Sequence, residues 1–145
     1  MKVFFDTSVL VAASSGDHPQ YTQAFAALQR SAKKQDKGSI SVHSMAEVYS
    51  ALTRMPVVPR IHPIEASRII THNLLTHLEV VSLDKSDYLD ALQMVRDGGW
   101  AGARIYDALI LCCAIKSDAE RIYTFNLRDF RALASPLLQQ KLCAP

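Results

Sequence analysis

Asp6, Glu47 and Asp107 carry the chemistry this sequence is best equipped to perform, because each carboxylate stands among neighbours that only partly explain it. Asp6 closes the apolar run Val3-Phe4-Phe5 and precedes Thr7-Ser8. It reads either as a turn-former or helix cap, roles that Asp fills well at such a place, or as a ligand. Asp107 lies near the start of the almost wholly apolar stretch Arg104 to Ile115. At helical spacing its face is shared with Ala103, Ile110, Leu111 and Ala114. A carboxylate among such neighbours is rarely buried without a partner. The helix dipole would favour it by only about 0.3–1 kcal/mol, too little to offset substantial desolvation. A metal ion or a salt-bridge partner is therefore expected there.

Glu47 has two readings. Ser44-Met45-Ala46-Glu47 fits a capping box, in which the glutamate reaches back to the cap residue. Glu47 also aligns with Ser50 and Arg54 on a stripe that would be solvated. Placed just after a second strand, however, it enters its helix near the same sheet edge as Asp6. Asn126 and Asp129, in Thr124-Phe125-Asn126-Leu127-Arg128-Asp129, read either as a turn with a helix cap or as an outer ligand acting directly or through water.

Several carboxylates held close together repel, so their pKa values rise or a cation must join them. Oxygen donors without Cys or His suit Mg²⁺ or Mn²⁺, which keep part of their water shell. Such an ion activates water and stabilises a leaving oxygen during in-line attack on phosphorus. Whether one ion or two would act is open at this level. Arg104, Arg128 and Arg131 flank the proposed residues in sequence and are candidates for phosphate contacts or, equally, solvated surface arginines.

The elements that must position these groups alternate. Strands are expected at Val3 to Phe5, Ser39 to Val42, Val80-Val81 and Arg121 to Phe125. Helical spacing marks Val9 to Ala13, capped by Thr7 or Ser8, and a helix through Tyr21, Ala24, Phe25, Leu28 and Ala32 after Asp17-His18-Pro19. Further helices open at Ser44 and at Pro63, the latter running through Ile64, Ile69, Ile70, Leu74, Leu75 and Leu78. Another passes through Tyr88, Leu92 and Val95, and the most apolar spans Arg104 to Lys116. Breaks fall at Met55 to Pro59 and at Gly98 to Gly102. This alternation predicts an α/β sandwich on a mostly parallel sheet. In such sheets the site lies beyond the carboxyl ends of the strands, near the switch in strand order, and Asp6 and Asn126 both sit where a strand ends.

The bulk numbers set the frame. A chain of 145 residues, 49% hydrophobic and 21% charged, reads as one globular domain over 1–145 with no repeat or linker. No apolar run is long enough to span a membrane. A carboxylate at residue 6 comes too early for a secretory signal peptide. Cys112, Cys113 and Cys143 form no disulfide framework and have no zinc-ligand spacing, so a reduced, cytosolic protein is expected. The net charge of +2 is too small to draw in nucleic acid through a global field.

At four places the residues resemble the PIN-domain family. These are Phe5-Asp6-Thr7-Ser8-Val9-Leu10, Ser44-Met45-Ala46-Glu47-Val48, Arg104-Ile105-Tyr106-Asp107-Ala108-Leu109-Ile110, and Tyr123-Thr124-Phe125-Asn126-Leu127-Arg128-Asp129-Phe130. Each motif is weak alone; four in order across nearly the whole chain are specific. The short form looks like the VapC-type toxins of toxin–antitoxin pairs. The resemblance implies a three-layer α/β/α sandwich with four or five strands, Mg²⁺- or Mn²⁺-dependent endoribonuclease activity, homodimerisation, and inhibition by a small antitoxin. It places Asp6, Glu47 and Asp107 at the main acidic positions, and Thr7 and Thr124 where a hydroxyl often lies near the metal. The sequence departs from the family at Asn126, where Asp is common; Asp129, three residues on, is the alternative source of that charge. The departure motivates a different reading, a catalytically weak PIN-like module that binds RNA or protein. A phosphotransferase with Asp6 as nucleophile fits poorly, since such enzymes usually carry a second Asp two residues on and Ser8 stands there.

Overall fold

Four consecutive residues, Lys2–Phe5, form the central strand β1, and the alternation of their side chains builds the domain's two cores. In the computed structural model, which describes residues 1–145, Val3 and Phe5 point to one side of the sheet and Phe4 to the other. All three are essentially inaccessible to solvent, as in a strand covered on both faces. Each core contains 17 buried residues, so the sheet is sandwiched evenly between helical layers.

The remaining strands are β2 (Lys37–Ser41), β3 (Leu78–Val81), β4 (Arg121–Tyr123) and β5 (Leu142–Cys143). They lie in the order β3-β2-β1-β4-β5, and every pairing is parallel. The chain winds outward from β1 to β3, returns to the other side of β1 for β4, and continues to β5. The switch in strand order therefore falls between β1 and β4.

On the first face lie α1 (Thr7–Ala13), α2 (Tyr21–Ala32), α3 (Val42–Arg54) and α4 (Pro63–Arg68), the last continued by a π-helical segment, Ile69–Leu74. On the second lie α5 (Lys85–Gly98), α6 (Arg104–Lys116), α7 (Leu127–Leu133) and α8 (Pro136–Gln139). This is the expected α/β/α sandwich with five strands. No helix is long and apolar enough to cross a membrane.

Local chemistry moved several boundaries. The helix after β2 begins at Val42, because the Ser41 hydroxyl accepts the His43 N–H at 3.1 Å and caps it one turn earlier than expected. The capping box expected at Ser44 and Glu47 is thus absent. One forms instead at α5, where Asp84 and Asp87 exchange side-chain-to-backbone bonds. The long helix expected from Pro63 gives way to the π segment, and Leu78 belongs to β3. Helix α8 and strand β5 went unread, being four and two residues long and carrying too little periodicity to register. Cys112 and Cys113 are buried as small hydrophobes, and all three cysteines are free.

Candidate active site

Strand β1 ends at the switch point, and the residue it delivers there is Asp6. Its backbone N–H bonds the Tyr123 carbonyl of β4 at 2.9 Å, which ties the two strand ends together. Asp6 holds the N-cap position of α1, yet its side chain makes no capping bond. The carboxylate instead accepts two hydroxyls on Oδ2, from Ser8 at 2.7 Å and Thr124 at 2.8 Å. Each hydroxyl is itself oriented by the turn after β4. Ser8 Oγ accepts the Phe125 N–H, and Thr124 Oγ1 accepts the Asn126 N–H, at 3.1 and 3.0 Å. With those lone pairs used, both hydroxyl protons are free to face Asp6. Asp6 is only 3% exposed. Burial pushes its pKa above the ordinary range, against the opposing pull of the two hydroxyls.

Helix α3 brings Glu47 to the same place. Thr7, at the start of α1, donates to Glu47 Oε1 at 3.1 Å, and Thr7 Oγ1 lies 2.9 Å from Ser44 Oγ. A chain Ser44–Thr7–Glu47 thus replaces the expected capping box and couples α3 to the β1 turn. His43, one helical turn before Glu47, sets Nε2 3.9 Å from its carboxylate. Burial raises the pKa of Glu47, and the charge of Asp6 adds to the rise.

Helix α6 supplies Asp107 in its first turn. The Asp107 carboxyl is pushed up to about 6, first by burial and then by the charges of Asp6, Asp129 and Glu47, with Arg104 opposing. Three carboxylates from three elements therefore feel one another. They line a single cavity of about 400 Å³ with Thr7, Ser8, His18, Gln20, Tyr106, Ile110 and Asn126 among its walls. No Lys or Arg lines it.

The other sequence candidates fall around this cavity. Thr124 is fully buried behind Asp6 and acts on it through its hydroxyl. Asn126 lines the cavity, whereas Asp129 does not. Asp129 is engaged by Arg104, whose guanidinium lies 3.3 Å from its carboxylate, donates to its carbonyl at 3.2 Å, and sits over the Trp100 ring at 4.8 Å. Its negative field still reaches Asp107. Arg128 and Arg131 are exposed outside the cavity wall. From the sequence, Ser8, Ser44 and His18 have roles only at helix starts and Gln20 and His43 none; the structure brings all five to the site. Ser8 carried a faint signal as the second hydroxyl after Asp6; the others meet the site only through packing.

The donor set is what a hard divalent cation takes: carboxylate oxygens, hydroxyls nearby and no thiolate. No three His, Cys, Asp or Glu side chains stand close enough together to hold one metal ion between them. A cation that binds through one or two carboxylates and keeps its waters fits this open arrangement. The raised pKa values agree with this, since burial lifts all three and the neighbouring carboxylates add to the rise at Glu47 and Asp107, a cost that a cation would relieve.

A parallel five-stranded sheet wound in both directions from β1, with its acidic cavity at the β1–β4 switch, defines the class of protein. The PIN domain family model matches residues 3–136, and the chain belongs to that family. Among relatives, it is 30% identical over 123 residues to Ribonuclease VapC40 of Mycobacterium tuberculosis, covering 85% of each chain. Among solved structures, VapBC2 from Rickettsia felis, bound to a DNA fragment from its promoter, aligns with a TM-score of 0.68 at 20% identity, over 99% of this chain and 98% of that one. VapC20 of M. tuberculosis, a sarcin–ricin loop cleaving toxin, aligns with a TM-score of 0.68 at 22% identity, over 93% and 97%.

Proposed function

We propose that this chain is a divalent-metal-dependent endoribonuclease, the toxin of a toxin–antitoxin pair, with Asp6, Glu47 and Asp107 as its metal-holding residues. One observation carries the reading: three carboxylates, from the end of β1, from α3 and from α6, line one cavity that has no Lys or Arg in its wall. Likeness to VapC40, a named ribonuclease, supports RNA as the substrate. Mg²⁺ or Mn²⁺ held there would supply a Lewis acid and an activated water for attack on the phosphodiester.

The protein's own groups do the rest. The Ser8 and Thr124 hydroxyls hold Asp6 in one rotamer, so its free edge faces the cavity without side-chain rearrangement. The Ser44–Thr7 relay fixes Glu47 in the same way. Asp107, half-buried and with its pKa raised by burial and by the neighbouring carboxylates, gains most from a cation, which would hold it ionised. Asn126 would add a neutral oxygen or amide at the cavity edge, and Arg104 holds Asp129 outside it. On this reading the whole chain, 1–145, acts as one cytoplasmic domain. Its partners are the RNA substrate, a small cognate antitoxin and a second copy of itself; Arg128 and Arg131 are free to meet RNA phosphates.

Asn126 at the cavity wall favours a second reading, a catalytically weak module that binds RNA or protein. One experiment separates the two. Mg²⁺ and Mn²⁺ are titrated calorimetrically into antitoxin-free protein and into Asp107→Asn, and each sample is then given pooled cellular RNA. Metal binding and metal-dependent cleavage that vanish in the variant establish the nuclease. No metal binding by the wild type leaves the binding module.

A further inference from the structure

The wall of the acidic cavity leaves open what grips the substrate. It presents three carboxylates and no Lys or Arg, and the whole chain carries a net charge of only +2. Apart from a bound cation, the wall therefore offers phosphate, the usual source of nucleic-acid affinity, no Lys or Arg at the point where RNA approaches most closely. Contacts that do not depend on phosphate charge would add to the grip of a cation, and beside the cavity stands a pair of rings suited to supply them.

His43 in the first turn of α3 and Tyr106 in the first turn of α6 stack across the gap between their helices. The ring centroids are 5.9 Å apart and the planes differ by 7°. Tyr106 is 51% exposed and the His43 side chain 43%, so the pair packs little against either core. An aromatic contact made for stability ordinarily buries most of its rings; this one holds them at the surface, parallel and pre-ordered. Both belong to the site. Tyr106 lines the cavity beside Asp107, and His43 reaches within 3.9 Å of the Glu47 carboxylate.

We propose that the His43–Tyr106 pair is a stacking platform for one unpaired RNA base next to the phosphate that enters the acidic cavity. Parallel rings leave outer faces on which a base can stack, a contact tolerant of base identity because every base has a π-face. A base inside a duplex keeps its faces against its neighbours, so the platform selects single-stranded or splayed-out nucleotides. Neither residue need touch the reacting atoms; both are binding residues that set where the chain of phosphates lies. The inference rests on the ribonuclease reading for the identity of the ligand.

The test measures binding without cleavage. In EDTA, fluorescence anisotropy follows a labelled single-stranded RNA 12-mer of mixed sequence and an abasic ribose-phosphate 12-mer of equal length. The proteins are the wild type, Tyr106→Ala, Tyr106→Leu, Tyr106→Phe and His43→Ala, each checked by thermal unfolding. The wild type should bind RNA more tightly than the abasic chain. Tyr106→Ala and Tyr106→Leu should weaken RNA binding about 5- to 20-fold, as loss of one stacked base does, and leave the abasic chain within about twofold. His43→Ala should fall between them and the wild type, and Tyr106→Phe should remain near the wild type. Equal affinity of the wild type for both probes, or equal weakening of both by Tyr106→Ala, overturns the platform. Cleavage assays in Mg²⁺ keep the two ideas apart. A wild type that cleaves, with an unchanged KM in Tyr106→Ala, removes the platform and leaves the nuclease. Base-dependent binding without any cleavage removes the nuclease and leaves the platform.

Discussion

Two buried aspartates at opposite ends of the same sheet have met opposite electrostatic fates. Asp36, just before β2, is 8% exposed and is met by Arg30, whose Nε lies 2.7 Å from Oδ2. The arginine holds its pKa below the usual carboxylate range. Asp6, just after β1, is 3% exposed and has only hydroxyl partners, and its pKa is raised. The cavities beside them differ likewise. The one at the Asp36 end, about 380 Å³, is walled by both signs of charge, among them Lys34, Lys37 and Glu79. At the Asp6 end, about 400 Å³ is walled by three carboxylates and no Lys or Arg. Asp36 is held by a cation of its own chain, whereas on the proposed reading the cationic partner of Asp6 is a metal ion.

The comparison breaks most visibly in activity. Asp6→Asn should reduce metal-dependent RNA cleavage by about 100-fold or more, since it removes an oxygen donor held by two hydroxyls. Asp36→Asn should leave cleavage within about twofold. A similar loss from both would mean that the aspartates act through the fold and not through the cavity. Next in size is the response to metal. At about 100 times its dissociation constant, Mg²⁺ or Mn²⁺ should stabilise the wild type by roughly 2.7 kcal/mol in thermal unfolding. Asp107→Asn should respond much less, and an equal response would place the ion elsewhere.

A third prediction concerns pH in the absence of metal. Asp107 has a folded pKa of about 6 against an ordinary 3.8. The folded state therefore binds this proton more tightly than the unfolded chain does, and stability is lost as pH rises from about 4 to about 6. Asp107→Asn should reduce that slope, leaving the parts due to Asp6 and Glu47, and stabilise the metal-free protein at pH 7 by about 1–2 kcal/mol, after allowance for its solvent contact. Urea unfolding across pH 4–8 checks this; a destabilised variant would show that Asp107 already has a cationic partner. The smallest effect lies at the other end. Asp36 has a lowered folded pKa, so its contribution is present above pH 4 and fades as pH falls through the folded value. Arg30 is 53% exposed, and water screens the pair. Asp36→Asn should lower Tm by only about 3 °C at pH 7 and by less near pH 3.

What could be read in the sequence followed from strong local signals. Val3-Phe4-Phe5 announced a strand buried on both faces, and the apolar run from Arg104 to Lys116 gave α6 to the residue. Asp107 stood out because an isolated carboxylate in such a run needs an explanation. The errors also have local causes. Ser44 and Glu47 carry the letters of a capping box, but the Ser41 hydroxyl, three residues earlier, captured the helix start. Asp84 and Asp87 formed the box that no reading sought.

The sequence alone determined which residues are acidic, which runs are apolar, and hence which elements alternate and which carboxylates end them. Period and composition are properties of neighbouring residues, and neighbours suffice to state them. Tertiary structure alone decided who meets whom. It set Ser8 and Thr124 on one oxygen of Asp6, 118 residues separating Thr124 from it in the chain. It withdrew Asp129 to Arg104, and it stacked His43 on Tyr106 beside the carboxylates. Those contacts depend on the β3-β2-β1-β4-β5 order, which brings the ends of β1 and β4 together. Strand order is fixed by burying two helical layers at once, and no local stretch of sequence contains it.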